Sequence, residues 1–258
     1  MTPRTGSVDT PRPERPRVSG PVPSVPPVRQ RRPATRAGEG AGASWGVPAA
    51  LVALILVPVI AGSLRVLEIA GGPQVLPTNP RIDAVPAPVV IHIVAAAVYA
   101  LFGAFQFPAG LRRRHRRWHR RSGRVLVGAG LVIAASGLWM TLFYPGAPGG
   151  DLLWAVRLLV GAAIAASIVL GFTSIRRRDI AAHRAWMIRA YALAVAAGTQ
   201  AFTQGIGEGL FGASDLSTAL SVSAGWVINA AVAEWVIRRP SARRARQART
   251  HTALVGSR

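Results

Sequence analysis

Hydrophobic residues fall into six long runs separated by polar segments, and this pattern predicts membrane-spanning helices. Each run holds roughly 20 residues with little charge, the length that a helix needs to cross the hydrocarbon core of a bilayer. The predicted spans cover residues 45–64, 87–107, 123–144, 151–174, 182–204 and 216–237. The predicted fold class is therefore all-α, a polytopic membrane protein with a bundle of six transmembrane helices.

The segments outside these runs differ in composition. Residues 1–44 are rich in Pro, Arg, Gly and Ser and lack a periodic apolar pattern. Such a segment cannot bury enough surface to offset the entropy of ordering, so we predict a disordered tail. A basic tail follows the last run. The sequence thus predicts a disordered tail at 1–44, a transmembrane domain at 45–238 and a second disordered tail at 239–258.

Arginine is distributed unevenly among the connections, and this predicts the orientation. All 31 basic residues are arginine, and they cluster before the first span, between spans two and three, between spans four and five, and after the sixth. The alternate connections, residues 68–86, 145–150 and 205–215, contain Arg81 alone. Because positive residues are retained in the cytoplasm, both termini are predicted to lie inside.

The densest arginine cluster occupies residues 111–124, where eight of fourteen residues are arginine. As a cytoplasmic connection it is expected to contact anionic lipid headgroups, each arginine contributing about 1 kcal/mol near the surface. The alternation of spans and basic loops already explains the formal net charge of +21. We therefore predict the lipid bilayer as the partner and no nucleic acid.

Composition limits the chemistry. The chain has no cysteine, which excludes disulfides, thiolate metal sites and cysteine nucleophiles. Its ten acidic residues are scattered, mostly in loops and tails, which argues against an enzyme, and no catalytic residue is assigned. GEGLFG at 207–212 resembles a dinucleotide-binding motif but is predicted to be an outer loop. His115 and His119 have helical spacing but stand among arginines, so no metal site is assigned.

Polar residues at membrane depth are the functional candidates, because they are costly to bury in lipid. Near the outer side, His92 and Arg157 are predicted to face one cavity with Glu208 at its rim. Alternatively, Arg157 extends to the outer headgroups.

On the inner side, the candidates are Gln106, His119, His183, Trp186 and Arg189. His119 and His183 lie at similar depth on two helices, so they could bind a polar ligand or headgroup, or ligate one haem iron. The structural alternative is that both are interfacial histidines bonded to carbonyls.

Several short motifs carry a resemblance to a known family. They are His92-Ile-Val, Gly103-Ala-Phe-Gln-Phe-Pro108, Trp118-His-Arg, Gly123-Arg and His183-Arg-Ala-Trp-Met-Ile-Arg189. In this order the chain resembles a bacterial multi-pass membrane family, domain-of-unknown-function family 2306, over roughly residues 50–238. The resemblance implies a membrane topology and a bacterial plasma-membrane location, and it adds Arg124 to the candidate positions.

The sequence supports three hypotheses about function. The first is a membrane protein that binds a lipid headgroup, quinone or other small polar ligand at the inner cluster of polar residues. The second is a redox protein with one b-type haem ligated by His119 and His183. The third is a small-solute transporter, which requires broken helices, and Pro58 in the first span is the only break that the sequence predicts.

Overall fold

The computed structural model describes residues 39–239, with side chains from residue 45 onwards. Within this part of the chain all regular structure is helical, as predicted. The helices are α1 (Glu39–Ile69), α2 (Ala87–Ala104), α3 (Ala109–Arg114), α4 (Arg116–Phe143), α5 (Gly150–Arg176), α6 (Ile180–Ala194), α7 (Ala196–Phe211) and α8 (Asp215–Arg238). Most of both predicted disordered tails, residues 1–38 and 240–258, lies outside the described residues.

Five helices, α1, α2, α4, α5 and α8, are long and apolar enough to cross a membrane. They match five of the six predicted spans, so the prediction of a helical membrane protein is confirmed. The predicted start of the third span at residue 123 is too late. Helix α4 begins two turns earlier, at Arg116, because arginine is a good helix former and its charge can reach the headgroups from an interfacial turn.

The predicted fifth span, residues 182–204, is not one helix. It consists of α6 and α7, with 15 and 16 residues, separated at Val195. Val195 has φ −92° and ψ 9°, outside the α-helical range. Each piece is shorter than a bilayer-spanning helix requires. The count of six crossings and the orientation therefore stay predictions.

A buried asparagine on α8 satisfies the backbone at this break. Asn229 donates a hydrogen bond from Nδ2 to the carbonyl oxygen of Ala192 at 2.8 Å. Its Oδ1 accepts a hydrogen bond from the hydroxyl of Thr199 at 2.7 Å. One side chain thus joins the last turn of α6 to the first turn of α7, where lipid could offer no hydrogen bond.

Helix α1 contacts the α6–α7 break close to Pro58. Pro58 lies inside α1 and has no N–H, so the carbonyl of Leu54 lacks its usual helical donor. Gly198 on α7 packs against this carbonyl so closely that a Cβ on Gly198 would lie 2.3 Å from the Leu54 oxygen. The absence of a side chain at Gly198 is what permits the approach of the two backbones.

The segments that connect the helices lie at two opposite ends of the helical bundle. At one end, Trp45 contacts Phe105, and His183 contacts the end of α5. We call this the arginine-rich end. At the opposite end, Arg81 contacts the α4–α5 turn, and the side chain of Asp215 at the start of α8 accepts a hydrogen bond from Gly149 at 2.9 Å. We call this the arginine-poor end.

The interior between α2, α4 and α6 is packed around two tyrosines. Tyr99 and Tyr191 have ring centroids 5.8 Å apart, and the hydroxyl of Tyr191 donates to the carbonyl of Ala100 at 2.7 Å. Gly103 allows the approach, because a Cβ there would overlap the Tyr191 ring. Many large apolar side chains remain exposed on the outer surface, such as Leu159 at 70%, as a lipid-facing surface requires.

One local prediction is wrong. GEGLFG at 207–212 is not a loop, because α7 continues to Phe211 and Gly212 ends it with φ 73°. His115 is the N-cap residue of α4, with φ −123° and ψ 58°, and its carbonyl accepts the amide of His119 at 3.0 Å.

Candidate functional site

A tight hairpin at the arginine-rich end positions His183. Arg178 adopts φ 63°, and Asp179 caps α6 by accepting a hydrogen bond from the amide of Ala182 at 2.9 Å. The first turn of α6 therefore returns against the last turns of α5. There Nδ1 of His183 lies 2.8 Å from the carbonyl oxygen of Gly171. Because a carbonyl only accepts, Nδ1 donates, and Nε2 of the neutral ring keeps its lone pair.

His119, in the first turn of α4, has a different environment. Its ring is half-buried, and its Nδ1 is buried with no hydrogen-bond partner among the described residues. The ring lies within electrostatic range of both Arg112 and His183. A buried ring nitrogen without a partner is unfavourable, and it is a position where a bound group could supply the missing hydrogen bond.

Arg112 on α3 completes what we call the histidine cluster, namely Arg112, His119 and His183. Burial lowers the pKa of the Arg112 guanidinium, and the charges of Arg184 and Arg113 lower it further. Neighbouring cations thus surround the two imidazoles. In the described residues, none of the ion pairs with a carboxylate involves a member of this cluster. The cluster is an electropositive, partly buried site.

The side chain of Gln106 makes its hydrogen bonds within the protein and has a structural role. Its Nε2 donates to the hydroxyl of Ser122 at 2.8 Å, and that hydroxyl donates to the carbonyl of Trp118 at 2.7 Å. These bonds tie the chain after α2 to the first turns of α4. They fix the start of α4, which carries His119, against the segment after α2 that leads to Arg112 on α3.

Trp186 and Arg189 are also engaged within the protein. Arg189 makes two hydrogen bonds to the carboxylate of Glu234 on α8, at 2.6 and 3.2 Å. Its guanidinium lies 4.7 Å from the ring centroid of Trp186. The sequence places Glu234 near the inner end of the sixth predicted span, but its pairing with Arg189 was not predicted, although an arginine at membrane depth requires an acid on another helix. Arg124 is exposed, so its side chain is not part of the cluster.

An apolar groove of about 530 Å³ lies at the arginine-rich end. It is open to the outside of the bundle and is lined by Leu101, Phe102, Phe105, Leu111, His115 and Trp118. The groove has the volume of a typical small-ligand site. Two of its lining residues, Leu111 and Trp118, directly precede Arg112 and His119 in the chain.

The structure gives the candidates near the arginine-poor end separate partners. Nδ1 of His92 lies 2.9 Å from the hydroxyl of Ser136, which itself donates to the carbonyl of Val132 at 2.6 Å. His92 therefore donates to Ser136. Arg157 donates to the carbonyl of Pro148 at 3.4 Å, while Glu208 is exposed. Nothing in these contacts supports the predicted common cavity for His92, Arg157 and Glu208.

The comparisons with known proteins identify the family. No curated protein and no solved structure matches the chain. A family model described as a predicted membrane protein, DUF2306, matches residues 89–237, which is more than half of the chain and contains every candidate residue discussed above. Among the described residues, no group of three histidines or acids is arranged to hold a metal ion. With its apolar helices and this match, the chain belongs to the DUF2306 family of predicted membrane proteins.

Proposed function

We propose that this protein binds the head of an amphipathic ligand, a lipid headgroup or a quinone, at the histidine cluster. The observation that carries the proposal is the buried Nδ1 of His119, which has no partner within the described residues. Imidazole and guanidinium donors together favour an electron-rich acceptor. The phosphate of a lipid or the carbonyl oxygen of a quinone has this chemistry.

The apolar groove supports an amphipathic ligand over a water-soluble one. A ligand whose head meets Arg112 and His119 can extend its apolar tail past Leu111 and Trp118 into the groove. Burying that tail stabilises the complex by about 25 cal/mol per Å² of apolar surface removed from water. A purely polar solute would not fill the apolar groove, which lipid tails would then occupy.

Binding is expected to weaken about tenfold in His119→Ala, because this variant loses a hydrogen bond to the ligand head, worth about 1.4 kcal/mol. It is expected to change less in His183→Ala, because Nδ1 of His183 already donates to Gly171 and its Nε2 is an acceptor. The measurement is native mass spectrometry and titration of the full chain in nanodiscs with phosphatidylglycerol and with decylubiquinone. The matched control is His92→Ala, which removes a histidine at the other end of the bundle. Unchanged affinity for both probes in folded His119→Ala would contradict the proposal.

Haem is the alternative for the same two histidines. His183 fits an axial ligand, because its Nδ1 donates to a carbonyl and leaves Nε2 open, as ligating histidines do. His119 does not fit, because its Nδ1 has no such acceptor. We therefore rank haem second. A Soret band in protein from haem-replete cells that disappears in both alanine variants would favour it over the proposal.

One observation favours a transporter, the third hypothesis. The α6–α7 break is a discontinuous helix, which transporters use at their binding sites. At Val195, however, the exposed Ala192 carbonyl is bonded to Asn229. Uptake of a small water-soluble solute into proteoliposomes that hold the protein, and not into empty liposomes, would favour this hypothesis.

We also propose that the protein lies in a bacterial plasma membrane with its arginine-rich end in the cytoplasm and α6–α7 as one broken crossing. The distribution of arginine supports this orientation. A reporter fused after Ala147 is expected to be active outside the cytoplasm, and one fused after Arg178 inside it. Activity of both fusions on the same side would contradict the proposed orientation, and a reporter fused after Gly212 that is active in the cytoplasm would contradict the crossing by α6–α7.

A further inference from the structure

Two arginines converge at the arginine-poor end, where arginine is otherwise scarce. Arg81 lies in the connection before α2, in a 3₁₀ turn, and Arg157 lies two turns into α5. Arg81 donates from Nε to the carbonyl of Pro145 at 2.6 Å. Arg157 donates from Nη1 to the carbonyl of Pro148 at 3.4 Å. Both guanidinium groups are thus held by one short turn, between α4 and α5.

The shape of this turn presents its carbonyls to the two arginines. Three of its glycines, Gly146, Gly149 and Gly150, have positive φ, at 59°, 93° and 57°. The side chain of Tyr144 donates to the carbonyl of Val85 at 2.5 Å, which ties the Arg81 connection to the end of α4. Side chains with a Cβ would strain this backbone.

The two carbonyls that accept from these guanidinium groups are three residues apart in one turn, and this brings the two positive charges to the same place. Between residues 45 and 239, the carboxylates in ion pairs are Glu68, with Arg65, and Glu234. Neither Arg81 nor Arg157 has a carboxylate oxygen within 4.0 Å in this part of the chain. Asp215 reaches the same turn, but its Oδ1 accepts the amide of Gly149.

Carbonyl oxygens orient these guanidinium groups without neutralising them. Two like charges held together near a bilayer are unfavourable unless an anion joins them. The carbonyl bonds use Nε of Arg81 and Nη1 of Arg157, so both Nη groups of Arg81 and the Nε and Nη2 of Arg157 remain for a ligand. A guanidinium presents such donors as a planar fork that matches phosphate and carboxylate.

We propose that Arg81 and Arg157 form a binding site for a single oxyanion, with the chemistry of a phosphate or phosphodiester, at the arginine-poor end. The site is separate from the histidine cluster and independent of the function proposed for it. The same chemistry occurs in two sources, the phosphodiester of a lipid headgroup and a free phosphate. The experiment below distinguishes them.

The full chain is placed in a maltoside detergent, which carries no phosphate, and titrated with inorganic phosphate, and lipid retention is measured by native mass spectrometry with phosphatidylglycerol. A free anion as ligand raises the melting temperature when phosphate is added in this detergent. A lipid as ligand gives one retained phosphatidylglycerol and no phosphate effect. Either result supports the site if Arg81→Gln/Arg157→Gln weakens it at least about tenfold. Absence of both overturns the proposal.

Matched variants separate binding from folding and from total charge. Glutamine keeps a donor at the position of the Arg81 Nε, and the bond from Nη1 of Arg157 that it loses is long, at 3.4 Å, so the double variant is expected to retain its melting temperature without ligand. Arg157→Lys keeps the charge but loses the fork, and its affinity is expected to fall between those of the wild type and the double variant. Arg177→Gln, an exposed arginine at the other end, is expected to bind normally. Equal binding by the double variant and the wild type overturns the proposal.

Discussion

Replacing Gly198 by alanine is expected to lower the free energy of unfolding by about 2–3 kcal/mol, the range of overpacking in a tightly packed interior. The new Cβ would lie 2.3 Å from the carbonyl oxygen of Leu54, far inside van der Waals contact. The obstacle is backbone, which cannot rotate away as the end of a side chain would. Helices α1 and α7 must therefore separate, and they lose their contact beside Pro58.

Gly205→Ala is the matched control for this variant. Gly205 is on the same helix, but a Cβ there would meet nothing within 4 Å. Both substitutions gain the same helix propensity, up to about 1 kcal/mol, so the difference between them isolates the contact with α1. The measurement is unfolding in mixed detergent micelles, followed by circular dichroism. Equal stability of the two variants would mean that the backbones do not meet at Gly198.

Replacing Asn229 by leucine is expected to cost about 1–2 kcal/mol, the upper range for a hydrogen bond between membrane helices. The variant leaves the carbonyl of Ala192 and the hydroxyl of Thr199 without their partner. Leucine has a similar volume and is more apolar, so the loss reflects the hydrogen bonds. The loss is concentrated at the α6–α7 break, where the backbone cannot supply the bond.

Ser223→Ala provides the comparison on the same helix. The hydroxyl of Ser223 is buried with no hydrogen-bond partner in the described residues, so its removal is expected to change stability by less than about 0.5 kcal/mol. A double-mutant cycle with Thr199→Val then measures the coupling between Asn229 and Thr199. Zero coupling in that cycle, or no difference between Asn229→Leu and Ser223→Ala, would remove Asn229 from its proposed role.

Local sequence is sufficient for most of the fold. Five spans follow from hydropathy because the bilayer sets a minimum length that any apolar helix must meet. Boundaries follow less well, as α4 shows, because arginines at 116–121 are compatible with both a loop and an interfacial helix. The helical end of α7 at Phe211 was also missed, since glycines at 207 and 209 suggest a turn unless a neighbouring helix holds them.

The break in the fifth span could not be predicted from its own sequence. The residues around Val195 are apolar and include no proline. The determinants are remote in the chain: Asn229 on α8, and the Leu54 carbonyl that Pro58 leaves open on α1. A sequence pattern records the preference of one segment, whereas this break depends on three segments meeting.

In the candidate sites, too, features of a single segment could be predicted from the sequence, and contacts between remote segments could not. Depth within a span suggested His119 and His183 as a pair, and this pairing stays a prediction. The sequence did not predict which residues on different helices contact each other. Arg189 pairs with Glu234, and Arg157 donates to the same turn as Arg81. Such pairings depend on how helices rotate against each other, which hydropathy does not specify.

The interruption at Val195 also bears on how the chain is made. Neither half of α6–α7 is long enough to hold itself in the bilayer, and its polar groups find their partner on α8. A nascent chain that has emerged only as far as Phe211 therefore has an unfinished, weakly anchored segment. In the proposed topology, insertion of α6–α7 and of α8 becomes a single event, completed once α8 has left the ribosome and can enter the lipid together with α7 as a hairpin.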